Sequence, residues 1–211
     1  MTEQIEQRSD AWFAARCGSL GASQIADAVA VLKDGKTPAA TSANIAAKLV
    51  IERLTETQED GFKSAAMQWG IDQEDNAKRA YEAATGEFVS DVGLYTHPTI
   101  KGTHASPDGL VAVDGLLEIK CPNSATHIET LKTGKVAKSY IYQMQWQMAC
   151  TGRAWCDYVS FDPRMPEHLQ LFVQRHERDD KLIGELEAKV QAFLQRVQDD
   201  LDALSTIGEK A

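Results

Sequence analysis

Long apolar runs are missing from this chain. No stretch of its 211 residues approaches the roughly 20 consecutive apolar side chains needed to cross a bilayer. The start, MTEQIEQRSDAW, lacks the basic-then-apolar layout of a signal peptide, so a cytoplasmic protein with no membrane partner is expected. Cysteine is sparse: Cys17, Cys121, Cys150 and Cys156 read as reduced thiols in that compartment. They include no C-x2-C pair, which argues against an iron–sulfur cluster. The five histidines have no zinc-ligand spacing. Positive charge is in deficit, with a formal net charge of −9. Phosphate binding usually brings a basic surface, so composition alone points away from nucleic acid. Repeats, low-complexity segments and obvious linkers are also absent, and the length suits one domain over residues 1–211.

The first half of the chain reads as helical. Ser9 or Asp10 can cap a helix running to Arg16, and Ser23 can cap a second carrying Ile25, Ala26, Val29 and Ala30. A polar loop over 31–39 leads to helices near 41–55 and 64–85, the latter ended by Gly86. The apolar period then falls to two, predicting strands near 88–95, 102–106, 110–113 and 116–121. Helices over 125–133 and 137–151, strands over 155–162 and 168–175, and a helix over 179–204 complete the chain. The last helix has a stripe of Leu182, Leu186, Val190, Phe193, Leu194, Val197 and Leu201, suited to a core or an oligomer contact. The fold class is α+β (mixed α/β), with a mainly antiparallel sheet and a long C-terminal helix.

Within the strand region, Ser106-Pro107-Asp108-Gly109 is followed by Glu118-Ile119-Lys120. Together they have the form P-D…E-x-K, in which two carboxylates can hold a divalent cation and an ammonium points to the same place. Glu118 and Lys120 share a strand face, and Ile119 points the other way, into a core. Asp114-Gly115 between apolar runs predicts a tight hairpin pairing Val111 with Glu118 and Gly109 with Lys120. That register leaves Asp108 on the wrong face, so a kink or bulge at Pro107–Gly109 is required. The same residues equally describe a solvated ion pair on a strand and an ordinary Asp-Gly turn.

Other residues could join such a site. Asp72, Glu74, Asp75 and Glu82 lie on the 64–85 helix, and one facing inward would be a third ligand; together they also fit a solvated face. Gln143, Gln145 and Gln147 could reach a phosphate or a base, or lie on a helix surface. Charge is uneven: over 122–153 Lys132, Lys135, Lys138 and Arg153 face only Glu129, whereas the tail from Glu177 onward is acidic. A basic channel inside an acidic exterior is compatible with DNA binding.

These residues resemble, in order, the phage lambda-type exonucleases, the viral alkaline exonucleases of the viral recombinase family within the PD-(D/E)xK nucleases. The resemblance includes Ala11-Trp12, Arg16 and Gly18, Ala22-Ser23, Trp69-Gly70 and Glu74-Asp75-Asn76-Ala77. It continues through Ser106–Gly109, Leu117–Pro122, Ser139-Tyr140 with Gln143 and Gln145, and Phe161–Met165. It implies a restriction-endonuclease-like central mixed sheet flanked by helices. It also implies two Mg2+ ions per site, with Mn2+ as a substitute: Asp108, Glu118 and the Ile119 carbonyl for the first, Glu74 with Asp108 for the second. Lys120 would position or activate water, or stabilise the transition state. Arg16, Ser23, Ser106 and Gln143 match a pocket for a terminal 5′-phosphate. Met67 falls at an apolar wedge that parts the duplex end, where the family has leucine, and Lys33 near a groove-following arginine. The implied activity is processive 5′→3′ digestion of double-stranded DNA ends to mononucleotides and a 3′ overhang. The implied partners are a single-strand annealing protein and two further copies in a ring-shaped trimer, in the host cytoplasm of a phage or prophage. An endonuclease or resolvase of the same fold, or an inactive end-binding protein, are the alternatives.

Overall fold

The Ser9 hydroxyl accepts the Trp12 N–H at 3.2 Å and starts α1 (Asp10–Arg16). The structure, a computed structural model, describes residue 7 and residues 9–58 and 64–208. After β1 (Leu20–Gly21) comes a single 3-10 turn over Ala22–Gln24 and then a short α2 (Ile25–Ala28). Ser23 lies exposed within that turn, and the N-cap of α2 is Gln24, so the expected Ser23 cap is not formed. Helices α3 (Ala40–Thr55) and α4 (Ala65–Thr85) follow. Ser64 caps α4 and Gly86 ends it at φ 76°, a left-handed stop that glycine adopts without strain.

The expected strand over 88–95 divides into β2 (Val89–Ser90) and β3 (Tyr95–Thr96), which enter different sheets. Next come β4 (Thr103–Ala105), β5 (Gly109–Val111), β6 (Gly115–Lys120), α5 (Ser124–Thr133), α6 (Lys138–Thr151), β7 (Trp155–Phe161), β8 (Leu171–Glu177) and α7 (Asp180–Gly208). One sheet has the order β1-β4-β3; the other is β2-β5-β6-β7-β8. The larger sheet is mixed, because β6 and β7 run parallel while the other pairs are antiparallel. No helix among the described residues is long and apolar enough to cross a membrane.

Helix α6 lies between the sheets, and its residues Gln143–Cys150 are all buried. Met144 and Met148 pack on Leu116, Cys156 and Tyr158 of the larger sheet. Trp146 and Cys150 join the opposite core, with α2, α3 and the α7 stripe. The stripe of α7 is therefore core. The other face of the larger sheet, with Leu117, Ile119, Val159 and Phe161, packs on Ala77 and Tyr81 of α4. Tyr81 Oη donates to Asp157 Oδ2 at 2.7 Å, and Arg175 Nε donates to Asp157 Oδ1 at 2.8 Å, which satisfies a carboxylate buried under the helix.

The β5–β6 hairpin differs from the sequence expectation. Val111 pairs with Gly115 and Gly109 with Leu117, with Ala112–Asp114 as the loop. The cause is tertiary. Arg153 Nη1 donates to the carbonyls of Val111, Ala112 and Gly115, the last at 2.6 Å. Asp114 accepts the Ala154 N–H on its carbonyl and the Trp155 indole N–H on its side chain. Asp114-Gly115 is thus docked against β7. A Cβ on Gly115 would lie 2.1 Å from the Trp155 ring, so glycine is required there for close approach. Arg153, counted above with the basic residues, instead clamps this hairpin.

Replacing Gly115 with alanine should therefore lower stability by about 1–3 kcal/mol or more through overpacking against Trp155. Ala112→Gly, which relieves a φ of 49°, should raise it by about 1 kcal/mol or less. Urea unfolding checks both, and a Gly115→Ala protein as stable as the parent would contradict this packing.

Candidate active site

With Gly109 paired to Leu117, the residue before it falls opposite Glu118 and on its face, so the wrong-face placement expected from a Val111–Glu118 pairing does not apply to Asp108. Its N–H donates to the Leu117 carbonyl at 3.1 Å, and its carboxylate takes the next rung of the ladder. Asp108 Oδ2 accepts the Ile119 N–H at 2.6 Å, where a straight β5 would have offered a backbone carbonyl. Because N–H and C=O of one strand residue point to the same edge, the Ile119 carbonyl also faces the Asp108 side. The Ile119 side chain is buried in the core under α4.

Glu118 is 1% exposed. Its Oε1 lies 2.5 Å from Lys120 Nζ, and its Oε2 accepts from Gln147 Nε2 at 2.5 Å. Lys120 Nζ also donates to Gln143 Oε1 at 3.3 Å and sits 4.9 Å from the Tyr140 ring centre. A cleft of about 460 Å³ opens over this group, with Asp108, Ile119, Lys120, Cys121, Pro122 and Tyr140 on one side. Ala66, Met67, Gly70, Ile71 and Glu74 of α4 form the other. Glu74 is half-buried and 3.2 Å from Lys78.

Burial and the neighbouring Glu118 push the Asp108 carboxyl well above the usual range; Lys120 opposes them and Glu74 adds to them. Burial draws Lys120 down, but Glu118 and Asp108 outweigh it, so the ammonium is held more firmly protonated than a free lysine. The Cys121 thiol is pushed up to about 12 by burial and by Asp108, Glu74 and Asp162, which leaves it neutral. Three carboxylates, Asp108, Glu118 and Glu74, thus stand against two ammonium groups, Lys120 beside Glu118 and Lys78 beside Glu74.

No three His, Cys, Asp or Glu side chains among the described residues are grouped so as to hold a metal ion. The donor chemistry nevertheless fits a hard cation, with three carboxylates and the Ile119 carbonyl. The raised pKa of Asp108 comes first from burial and only then from the negative charge of Glu118 and Glu74. Such a cation would compete with Lys120 for Glu118 Oε1. Of the other acids on α4, Asp72 and Asp75 are exposed, and Glu82 accepts the Val89 N–H at 2.9 Å.

The residues matched to a phosphate pocket fall in three places. Arg16 stacks on Trp12 at 4.0 Å, and the Trp12 indole donates to Ser106 Oγ at 3.1 Å, so one ring holds both. Arg16 also lines a small cavity with Ser19, Gln24, Lys48, Glu52 and His104. Its pKa is lowered by burial, against the pull of Glu52. Gln143 is buried behind the cleft, where it accepts from Lys120. Ser23 is exposed, and among the described residues no hydrogen bond joins it to the other three. Met67 is 58% exposed on the α4 rim of the cleft. Lys33 is exposed on the 31–38 loop and does not line the cleft.

Sequence reasoning underrated three residues. Gln147 and Gln145 are buried, the latter bridging Glu177 O and the Asp179 N–H. Tyr140 walls the cleft. The signal was present: a helix apolar on several sides is buried, and buried amides need partners.

The Asp108 shift has a consequence for stability. A carboxyl raised in the folded state contributes fully below its unfolded pKa of about 3.9 and loses that contribution as pH rises through the folded value. Asp108→Asn keeps an acceptor for the Ile119 N–H and removes the charge. In EDTA it should raise Tm by a few degrees at pH 8, as about 1 kcal/mol would in a chain of this size, and leave it unchanged near pH 3.5. A lower Tm at pH 8 would contradict the electrostatic picture.

The profile of the YqaJ-like viral recombinase domain matches residues 11–154. No curated protein sequence matches the chain. Among solved structures, the alkaline exonuclease LHK-Exo from Laribacter hongkongensis is 51% identical, with a TM-score of 0.88, covering 96% of this chain and 99% of that one. The same values hold for LHK-Exo in complex with dAMP. A phage related exonuclease from Haemophilus somnus 129PT shares the fold, with a TM-score of 0.68 at 15% identity over 88% of this chain and 96% of that one. Asp108, Glu118 and Lys120 all lie within the matched segment, and the chain belongs to the family of YqaJ-like viral recombinase domains.

Proposed function

We propose that this protein is a magnesium-dependent exonuclease that digests double-stranded DNA from its ends, 5′→3′, releasing mononucleotides and leaving a 3′ overhang. The observation that carries the reading is the Asp108–Glu118–Lys120 group beside a cleft that Asp108 and Lys120 line, in a chain half identical to an alkaline exonuclease. That relative has been solved with a mononucleotide, dAMP, bound.

Asp108, Glu118, Glu74 and the Ile119 carbonyl would hold Mg2+. The bound metal would supply Lewis-acid stabilisation of the attacking and leaving oxygens and a more acidic water. Lys120, kept charged by its two carboxylates, is better suited to stabilise the developing phosphoryl charge than to act as a base. Gln143 orients its ammonium, and Gln147 holds Glu118 from behind. Arg16, with its guanidinium plane set by Trp12, is suited to paired hydrogen bonds with a terminal phosphate; Ser106, Ser23 and Gln143 would complete that pocket. Met67 would part the end base pair, and Lys33 would follow the groove. A ring of three copies around the duplex would give processivity. The overhang would pass to a single-strand annealing protein in the host cytoplasm of a phage or prophage.

End-labelled linear duplexes with and without a 5′-phosphate, digested in Mg2+, test this reading. The phosphorylated end should be preferred, and Arg16→Ala should abolish that preference. Lys120→Ala should reduce the rate about 100- to 10,000-fold, and closed circular DNA should survive. Cutting of circles would favour an endonuclease, and undiminished activity of Lys120→Ala would remove the catalytic assignment.

A further inference from the structure

Two walls form the cleft, and they are secured unequally. The wall from β6 is part of the sheet. The wall from α4 is anchored only in the second half of that helix, where Ala77 and Tyr81 are its two buried residues and Tyr81 is tied to Asp157. From Ala65 to Asn76 the helix buries nothing completely, yet this half carries Met67, Gly70, Ile71 and Glu74 into the cleft.

Arg164 spans the gap. It follows β7 in the segment Phe161-Asp162-Pro163-Arg164-Met165. Its guanidinium lies 4.6 Å from the Trp69 ring centre on α4. Its Nη2 donates to the Pro122 carbonyl at 3.1 Å, just past Lys120. Its Nε and Nη2 donate to Asp162 at 2.7 and 3.0 Å. Asp162 is fully buried, and its pKa falls to about 2, burial being outweighed by hydrogen bonds from Arg164 and Ser124. The guanidinium is therefore fixed at one edge by Asp162 and touches both walls, one through its face and the other through its edge.

We propose that Arg164 is a positioning residue that sets the width of the cleft, and so holds Glu74 of α4 at its working distance from Asp108 and Glu118. The inference rests on the nuclease reading and deepens it, because the distance it fixes is the one a shared cation must bridge. A lysine cannot substitute. It has neither the planar face for Trp69 nor the forked donors that engage Asp162 and Pro122 together. Removing a support behind metal ligands typically lowers metal affinity about 10- to 100-fold.

Calorimetric titration of the whole protein with Ca2+, which binds without turnover, provides the readout, alongside the Mg2+ concentration for half-maximal digestion. Arg164→Ala and Arg164→Lys should both raise the Ca2+ Kd and the Mg2+ half-point about tenfold, with KM for DNA within about twofold. Trp69→Ala should do the same and Trp69→Phe should not, because phenylalanine keeps the ring; these two variants carry the test if Arg164→Ala does not fold. The Arg164→Ala/Trp69→Ala pair should be little worse than either single change. Unchanged Ca2+ affinity in Arg164→Ala, or rescue by Arg164→Lys, would overturn the proposal. Asp108→Asn separates the two levels: if it abolishes Ca2+ binding while Arg164→Ala leaves it intact, the tether fails and the nuclease reading stands. If Asp108→Asn leaves Ca2+ binding untouched, the nuclease reading itself fails.

Discussion

The hydrogen bond from the Ile119 N–H to the Asp108 carboxylate is the contact on which the candidate site depends. It ends the β5–β6 ladder with a side chain in place of a backbone carbonyl. That substitution ends backbone pairing on the β5 side of β6, while β7 continues to pair its other edge, and it brings a carboxylate beside Glu118. Isolated buried charge is costly unless it is paired and hydrogen-bonded. Here the cost is offset locally: Ile119 N–H serves Asp108, while Lys120 and Gln147 serve Glu118. With Lys78 beside Glu74, two ammonium groups answer three carboxylates.

Helix α6 makes that arrangement tolerable. With both flanks covered, it offers methionines and a tryptophan to the two cores and amides to the polar groups between them. Gln147 reaches Glu118, Gln143 reaches Lys120, and Gln145 ties the helix to the end of β8. The Trp146 indole donates to Thr103 at 3.0 Å, and Thr103 donates to the Leu20 carbonyl at 2.8 Å, which links the helix to the smaller sheet. Neutral amides suit this position, because they satisfy buried charges without adding another.

Local signals made much of this legible in the sequence. Ser9, Ser64 and Gly86 bound their helices where capping chemistry predicts, and the period of α7 found its core stripe. Alternation along β6 put Ile119 in the core and Glu118 with Lys120 opposite it. The register of the hairpin was not legible, because Asp114-Gly115 is a strong local turn signal overridden from 40 residues away by Arg153 and Trp155. Ser23 failed as a cap for the related reason that the chain tightens into a 3-10 turn there. The glutamines of α6 were misjudged because polarity suggests a surface, and only the packing of two sheets on one helix shows otherwise. The Asp162–Arg164 contact is local, but the tether was not legible because Trp69 and Pro122 are distant in sequence from Arg164.

Charge distribution bears on whether so acidic a chain can serve DNA. Helix α7 carries six of the 31 Asp and Glu residues; it packs on the core shared by α2, α3 and α6 and lines no part of the cleft. Lys132, Lys135 and Lys138 are exposed along the end of α5 and the start of α6, the same segment that presents Tyr140 to the cleft. Arg16, drawn out of solvent beside Trp12, adds a desolvated cation on another side. At physiological ionic strength charges interact over about 8 Å, so the groups that line the cleft, Glu74, Asp108 and Lys120, set its field more than α7 does. The net charge governs solubility and distant repulsion, and the local field governs docking. The net charge therefore does not by itself set the field at the cleft, where the exposed lysines of α5 and α6 act on one side and Asp72 and Asp75 of α4 on the other.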